Sequence, residues 1–155
     1  MKVKNVMTEE VITVDNDASL REAAKLLRKN EISGAPVVDG EEVVGMISEE
    51  DILRSFKEEK SFEHDLWLPS PFELVEIPIR EILEIREYKK LLNQTGKEDI
   101  SSVMSDKVFS VGPEDDVSEV AEIMTNKKIN RVPVINDSEL IGIVAREDII
   151  NSLVK

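Results

Sequence analysis

Residues 32–53 read ISGAPVVDGEEVVGMISEEDIL, and residues 129–150 read INRVPVINDSELIGIVAREDII. The two stretches hold Ile, Pro, Val, Gly, Glu, Asp and Ile in the same places, and Pro36 to Pro133 and Gly45 to Gly142 are both separations of 97. No gap is needed to align them. The same offset continues upstream, where Val6-Met7 answers Val103-Met104, Val11 and Val14 answer Val108 and Val111, and Leu20 answers Val117. The 155-residue chain therefore divides into a first repeat at residues 1–55, a connecting segment at 56–99 and a second repeat at 100–155.

Within each copy the hydrophobic period changes in a fixed order. Val11 to Val14 and Val108 to Val111 are short β-branched runs closed by polar turns, which predicts a strand that stops abruptly. Leu20, Ala23, Ala24 and Leu27, like Val117, Val120, Ala121 and Met124, recur at helical steps and give the next element one apolar face. Ala35 to Asp39 then reads as a strand, Gly40-Glu-Glu as a turn and Val43 to Ser48 as a second strand, with the same order in the other copy. Helices from Glu49 to about Lys57 and from Arg146 to about Val154 close the units. Each unit is β-α-β-β-α, which predicts a layered α/β (α+β) fold. A unit of about 55 residues is marginal alone, so the copies are expected to pair about a pseudo-twofold axis and leave a cleft between them.

Composition narrows the function. Apolar residues make up 41% and charged residues 34%, a balance that supports a buried core rather than a disordered tail. The formal net charge of -13 repels phosphate backbones and anionic lipid, which argues against nucleic acid as a partner. No apolar run approaches the roughly 20 residues that span a bilayer, and the polar opening lacks a signal-peptide core, so no membrane partner and a cytoplasmic location are expected. With no cysteine and His64 as the single histidine, thiol chemistry and a histidine-built metal centre drop out.

The succession V-M-[TS]-x-x-V-x-[TS]-V, I-x-x-x-P-V-[VI] and G-[MI]-[IV]-x-x-E-D-I is satisfied by both copies and spans about two thirds of the chain. It resembles the cystathionine β-synthase (CBS) domain, present as the tandem pair called a Bateman module, of the stand-alone prokaryotic or archaeal type. The resemblance implies a regulatory module and not an enzyme. It implies AMP, ADP, ATP or S-adenosylmethionine as regulatory ligands in the cleft, no required cofactor, and a homodimer arranged as a flat disk of four CBS units.

The resemblance also carries roles to residues. In Gly45-Met-Ile-Ser48-Glu-Glu-Asp51 it implies that Asp51 receives the two ribose hydroxyls and Ser48 contacts phosphate. A carboxylate can accept both hydroxyl protons, and glycine permits close backbone approach. Ser48 and Asp51 read equally as a capping box at a helix start. The second copy keeps Asp148 but has Ala145 in place of the hydroxyl, which favours the ribose role there. Arg131 matches a phosphate-binding arginine of the family, and Arg146 adds a guanidinium, where the first copy has Gly34 and Glu49. Phosphate is therefore expected at the second site, unless an arginine from the other repeat or subunit reaches across. The plain alternative is that both arginines balance some of the 33 acidic residues. Thr13 and Ser110 match pocket-lining positions, Ile32 with Ala35 and Ile129 with Val132 would edge the adenine, and Pro36 and Pro133 lie in the same strands. The apolar members of this set also read as core.

Residues 56–99 far exceed the usual connection of about 4 to 6 residues. Val75, Ile79, Ile82, Ile85, Tyr88 and Leu92 fall at helical steps, with Pro78 starting or kinking a helix, so a helical insertion is expected. It would pack on its own module, or offer a dimer contact or a docking surface for an effector protein. His64 between Glu63 and Asp65 reads as solvated. Two functions follow: a ligand sensor that signals to a partner protein, or an assembly module with vacant sites acting through 56–99. No nucleophile, base and electrophile constellation supports an enzyme.

Overall fold

The computed structural model describes residues 1–56 and 99–154; the expectations placed on the connecting segment lie outside the described residues. The first repeat runs β1 (Val14–Asp15), α1 (Leu20–Lys29), β2 (Gly34–Asp39), β3 (Glu42–Ser48) and then α2, helical from residue 49 to the last described residue, 56. The second runs α3 (Val117–Lys127), β4 (Arg131–Asn136), β5 (Glu139–Ala145) and α4 (Arg146–Ser152). This is the mixed α/β architecture expected from the changing periods.

Local chemistry accounts for the element ends. Ser19 and Glu22 form a capping box at the start of α1: the Ser19 hydroxyl accepts the Glu22 amide at 3.1 Å, and the Glu22 carboxylate accepts the Ser19 amide at 3.2 Å. Asp116 caps α3 by accepting the Ser118 amide at 2.9 Å. Glu31 and Lys128, equivalent in the two repeats, turn the chain out of these helices at φ of 53° and 55°. The hairpins β2–β3 and β4–β5 are antiparallel and carry a register shift at the same place, after Val37 and after Val134.

Where each copy's opening segment goes is invisible to the repeat pattern. Thr8 exchanges backbone hydrogen bonds with Ile143 of β5, at 2.8 and 3.0 Å, while Ser105 does the same with Met46 of β3, both at 2.9 Å. Further out, the Val3 amide donates to the Asp115 carbonyl at 2.9 Å and the Ile100 amide to the Ala18 carbonyl at 3.3 Å. Each repeat thus lays its first residues on the other repeat. The cores follow the same exchange: Ile100 packs with Val14, Leu20, Ala23, Leu27, Ala35, Val37 and Ile47, while Val3 packs with Val111, Val120, Met124, Val132, Val134 and Val144. Both exchanged side chains are 0% exposed.

That crossing shortens the first strands. The expected run from Val11 to Val14 is a strand only at Val14–Asp15, paired in parallel with Val37 and Val38, and its counterpart is reduced to a single parallel bridge between Val111 and Val134. Between its bond to one sheet at Thr8 and to the other at Val14 the chain is in transit, and it can ladder with neither. The β-branched residues there are half-buried along the crossing.

The exchange also explains Gly45 and Gly142. A Cβ on Gly45 would stand 2.7 Å from both the Met104 sulfur and the Ser105 carbonyl oxygen, and one on Gly142 would stand 2.6 Å from the Met7 sulfur. The close backbone approach that these glycines permit is to the other repeat's opening segment.

Exposed charges pair across the first segment's contact with the second repeat. The Met1 amine lies 3.3 Å from Asp116, and Lys2 and Lys4 both hold Glu114, Lys4 at 2.6 Å. Hydrogen bonds from the two lysines bring the Glu114 carboxyl from the ordinary 4.5 to about 2. The Ser118 amide and hydroxyl, then the chain's amino terminus, bring Asp116 from 3.8 to about 2. Surface pairs of this kind contribute little to stability.

Candidate functional site

β3 ends where α2 begins, and the junction is pinned to the strand beside it. The Glu49 amide donates to the Ser33 carbonyl at 2.8 Å, and the Arg146 amide donates to the Asn130 carbonyl at 2.9 Å in the second repeat. These paired junctions hold the two aspartates in equivalent places.

At the first junction the capping box forms in full. Asp51 accepts both the Ser48 amide, at 2.9 Å, and the Ser48 hydroxyl, at 3.0 Å, through Oδ2, while the Asp51 amide donates back to the hydroxyl at 3.3 Å. Arg54 donates to the remaining oxygen, Oδ1, at 3.2 Å. Asp51 is 9% exposed, a carboxylate with both oxygens engaged. At the second junction Asp148 accepts the Ala145 amide, at 2.8 Å through Oδ2. Position 151 is Asn where the first repeat has Arg54, so no guanidinium answers Asp148 from that place. Among the described residues Asp148 Oδ1 has no protein donor, and the side chain is half-buried.

Arg131 opens β4 and crosses to the first repeat. Its Nη1 donates to the Ser33 hydroxyl, and a Cβ built on Gly34 would come within 3.6 Å of the same nitrogen. Burial lowers the guanidinium's pKa from its ordinary value, opposed by Glu147, Glu49 and Asp148, in that order. Carboxylates of both repeats therefore act on its charge. Arg146 is exposed and, with Glu147, Ile150 and Asn151, lines an open depression of about 280 Å³ on α4.

The other candidate residues divide by burial. Ala35 and Val132 are 0% exposed and lie inside the two cores, in contact with protein. Pro36 and Pro133 are buried in β2 and β4; Ile32 and Ile129 are half-buried and pack against the core margins. Thr13 is half-buried and Ser110 exposed, both on the crossing segments. Reading the sequence alone does not single out Ser33 or Arg54. The three-residue step from Asp51 to Arg54 is the available signal for the latter; nothing in the repeat marks Ser33. Among the described residues no group of His, Cys, Asp or Glu could hold a metal ion, and no helix is long and apolar enough to cross a membrane.

Comparison with known proteins agrees with this arrangement. The family model for the CBS domain matches residues 3–58 and 100–155. Uncharacterized protein MJ1426 of Methanocaldococcus jannaschii is 36% identical over 156 residues, covering 99% of this chain and 92% of that protein. The CBS domain-containing protein YhcV of Bacillus subtilis is 25% identical over 147 residues, covering 95% of this chain and 81% of that one. Among solved structures, the CBS domain pair of protein MJ0100, in complex with 5′-methylthioadenosine and S-adenosyl-L-methionine, superposes with a TM-score of 0.71 at 25% identity over 99% of both chains. The CBS domain of a membrane protein from Sphaerobacter thermophilus does so with a TM-score of 0.70 at 30% identity, over 97% of this chain and 86% of that one. Two matching segments, equivalent junctions and a shared pseudo-twofold fold make this chain a member of the CBS domain family, with two copies of the domain paired in one polypeptide.

Proposed function

We propose that the chain is a regulatory module that takes an adenosine-containing small molecule, of the AMP, ADP, ATP or S-adenosylmethionine kind, between its two repeats and signals its occupancy to a partner protein. The observation that carries this reading is Asp148, half-buried, with one oxygen fixed by the Ala145 amide and the other open to a ligand's hydroxyls. The adenosyl compounds bound by the MJ0100 pair support the ligand class. A ligand that touches both repeats shifts their arrangement by as much as its affinities for the two arrangements differ.

Calorimetric titration of wild type and Asp148→Asn with AMP, 5′-methylthioadenosine and S-adenosylmethionine tests it. The asparagine keeps an oxygen for the Ala145 amide and loses the charged acceptor. Affinity should fall by about 1 to 3 kcal/mol, roughly 5- to 150-fold. Identical curves would take Asp148 out of the site, and no heat from any of the three ligands would favour the assembly alternative.

The partner read most directly from the surface is a second copy. Leu53 and Ile150 are 67% and 55% exposed at equivalent positions of α2 and α4, and Phe56 and Leu153 follow one turn later at 37% and 79%. Large apolar side chains in matching places suit an isologous contact, and burying each is worth about 1.5 to 3 kcal/mol. Light scattering at tens of micromolar should give a dimer mass that Leu153→Asp shifts toward monomer; a monomeric wild type would count against the contact.

A further inference from the structure

The helices α1 and α3 occupy equivalent places, yet their outward faces carry opposite charge. Each covers its own core with one side, α1 through Leu20, Ala23 and Leu27 and α3 through Val120 and Met124. On the other side of α1, Arg21, Lys25 and Arg28 follow at steps of four and three, the spacing that keeps residues on one helix face, and Lys29 adjoins them. All four are exposed. At the repeat offset of 97 these positions are Ser118, Glu122, Thr125 and Asn126, so no basic residue of the stripe has a basic counterpart. Exposed Glu119 joins Glu122 on α3, and the basic residue of that helix, Lys127, stands over the Phe109 ring at 5.0 Å from its centre. Among the described residues Lys25, Arg28 and Lys29 form no ion pair. In a chain of net charge -13, one helix carries a concentrated positive stripe.

We infer that this stripe sets the direction in which two copies of the chain meet: they pair head to tail, the first repeat of one against the second repeat of the other. The inference rests on the dimer read above from α2 and α4 and adds its direction. Leu53 with Phe56 and Ile150 with Leu153 are large apolar pairs at equivalent positions, so they bury as well against a like repeat as against an unlike one. Apolar burial cannot choose. α1 and α2 cover the same core and α3 touches α4, so each apolar patch has a charged helix beside it. Both pairings are closed twofold dimers. Head to head, four cations meet the same four, and Glu119 and Glu122 meet their own copies. Head to tail, cations meet carboxylates on both sides of the axis. Complementary charge fixes register, and like charge disfavours the wrong pairing. The chain itself thus supplies the surface its basic stripe requires, on the equivalent helix.

A sequence without cysteine makes the direction readable by cross-linking. Leu53→Cys and Ile150→Cys, each alone and the two co-expressed, are oxidised at a concentration where light scattering gives the dimer mass. The co-expressed pair should yield a disulfide-linked dimer, and neither variant alone should do so. Reversing the stripe with Lys25→Glu and Arg28→Glu should weaken the dimer roughly 5- to 50-fold at low salt, and by less at 1 M salt, where screening acts within about 3 Å. Adding Glu119→Lys and Glu122→Lys to the reversed chain should restore the affinity to within about threefold of wild type. Thermal melting near wild type would show that these variants are folded. A disulfide from either cysteine variant alone, or a dimer unmoved or tightened by the reversal, would overturn the direction while leaving the dimer intact. If wild type but not the reversed chain also bound vesicles of anionic lipid, the stripe would belong to a membrane surface instead. No disulfide from a dimeric protein would overturn the direction together with its placement on α2 and α4. A monomeric wild type would remove the dimer reading itself, and this inference with it.

Discussion

Replacing Ile100 by alanine is expected to destabilise the whole chain by about 2 to 5 kcal/mol, the usual cost of truncating a large buried aliphatic side chain. Ile100 is 0% exposed and fills the core of the first repeat, beside Leu20, Leu27 and Ile47, although it begins the second. For a chain of this length each kcal/mol moves Tm by roughly 2 to 4 °C, so a fall of about 5 to 20 °C should be seen by calorimetry. The loss should not be confined to one half, since Val3 makes the reciprocal contribution and each core contains a part of the other repeat. A single transition shifted downward is the expected trace. Two resolved transitions, or a Tm within 2 °C of wild type, would mean that the exchanged segment does not hold the repeats together.

The two glycines of the repeated phrase should respond unequally to alanine. At Gly45 the new methyl would stand 2.7 Å from the Ser105 carbonyl oxygen, a backbone atom held by its reciprocal hydrogen bonds with Met46. Overpacking against backbone forces the exchanged segment away, at about 1 to 3 kcal/mol. At Gly142 the close neighbour is the Met7 sulfur at 2.6 Å, with the Thr8 carbonyl oxygen farther off at 3.2 Å. A methionine side chain can turn aside, so Gly142→Ala should cost clearly less. Urea midpoints rank the two directly, and hydrogen exchange at Met46 and Ser105 should quicken in Gly45→Ala alone. Equal midpoints would contradict the account of what each glycine faces.

The order β-α-β-β-α could be read from the sequence because each element writes its own period: helical steps at Leu20, Ala23 and Leu27, and short apolar runs around Val37 and Ile47. The exchange could not. A segment offset by 97 residues aligns equally well whether it packs on its own sheet or on its neighbour's, and the β-branched residues at Val11 and Ile12 look like a strand although they line a crossing. At the site, the spacing of Ser48 and Asp51 served two chemistries at once, and the structure shows the capping box formed, with Arg54 taking the remaining oxygen. Asp148 differs through what is missing around it, Ala for Ser and Asn for Arg, differences plain in the sequence once the geometry gives them meaning. The reach of Arg131 depends on two strand starts lying side by side, a relation between distant positions that no local pattern encodes.

The reciprocal placement of Val3 and Ile100 also bears on what joining two copies allows. A lone repeat would have nowhere to lay its first residues except on another copy of itself, so two half-length copies could make the same arrangement as a homodimer. In such a dimer any residue at the meeting point occurs twice, and an arginine there would confront its own twin. Joining the two copies in one chain keeps the fold while freeing the halves to differ in sequence. Arg131 opposite Gly34 is a difference that only the joined form can carry. It turns a symmetric meeting point into one with a preferred side, and gives selection a handle on each half alone.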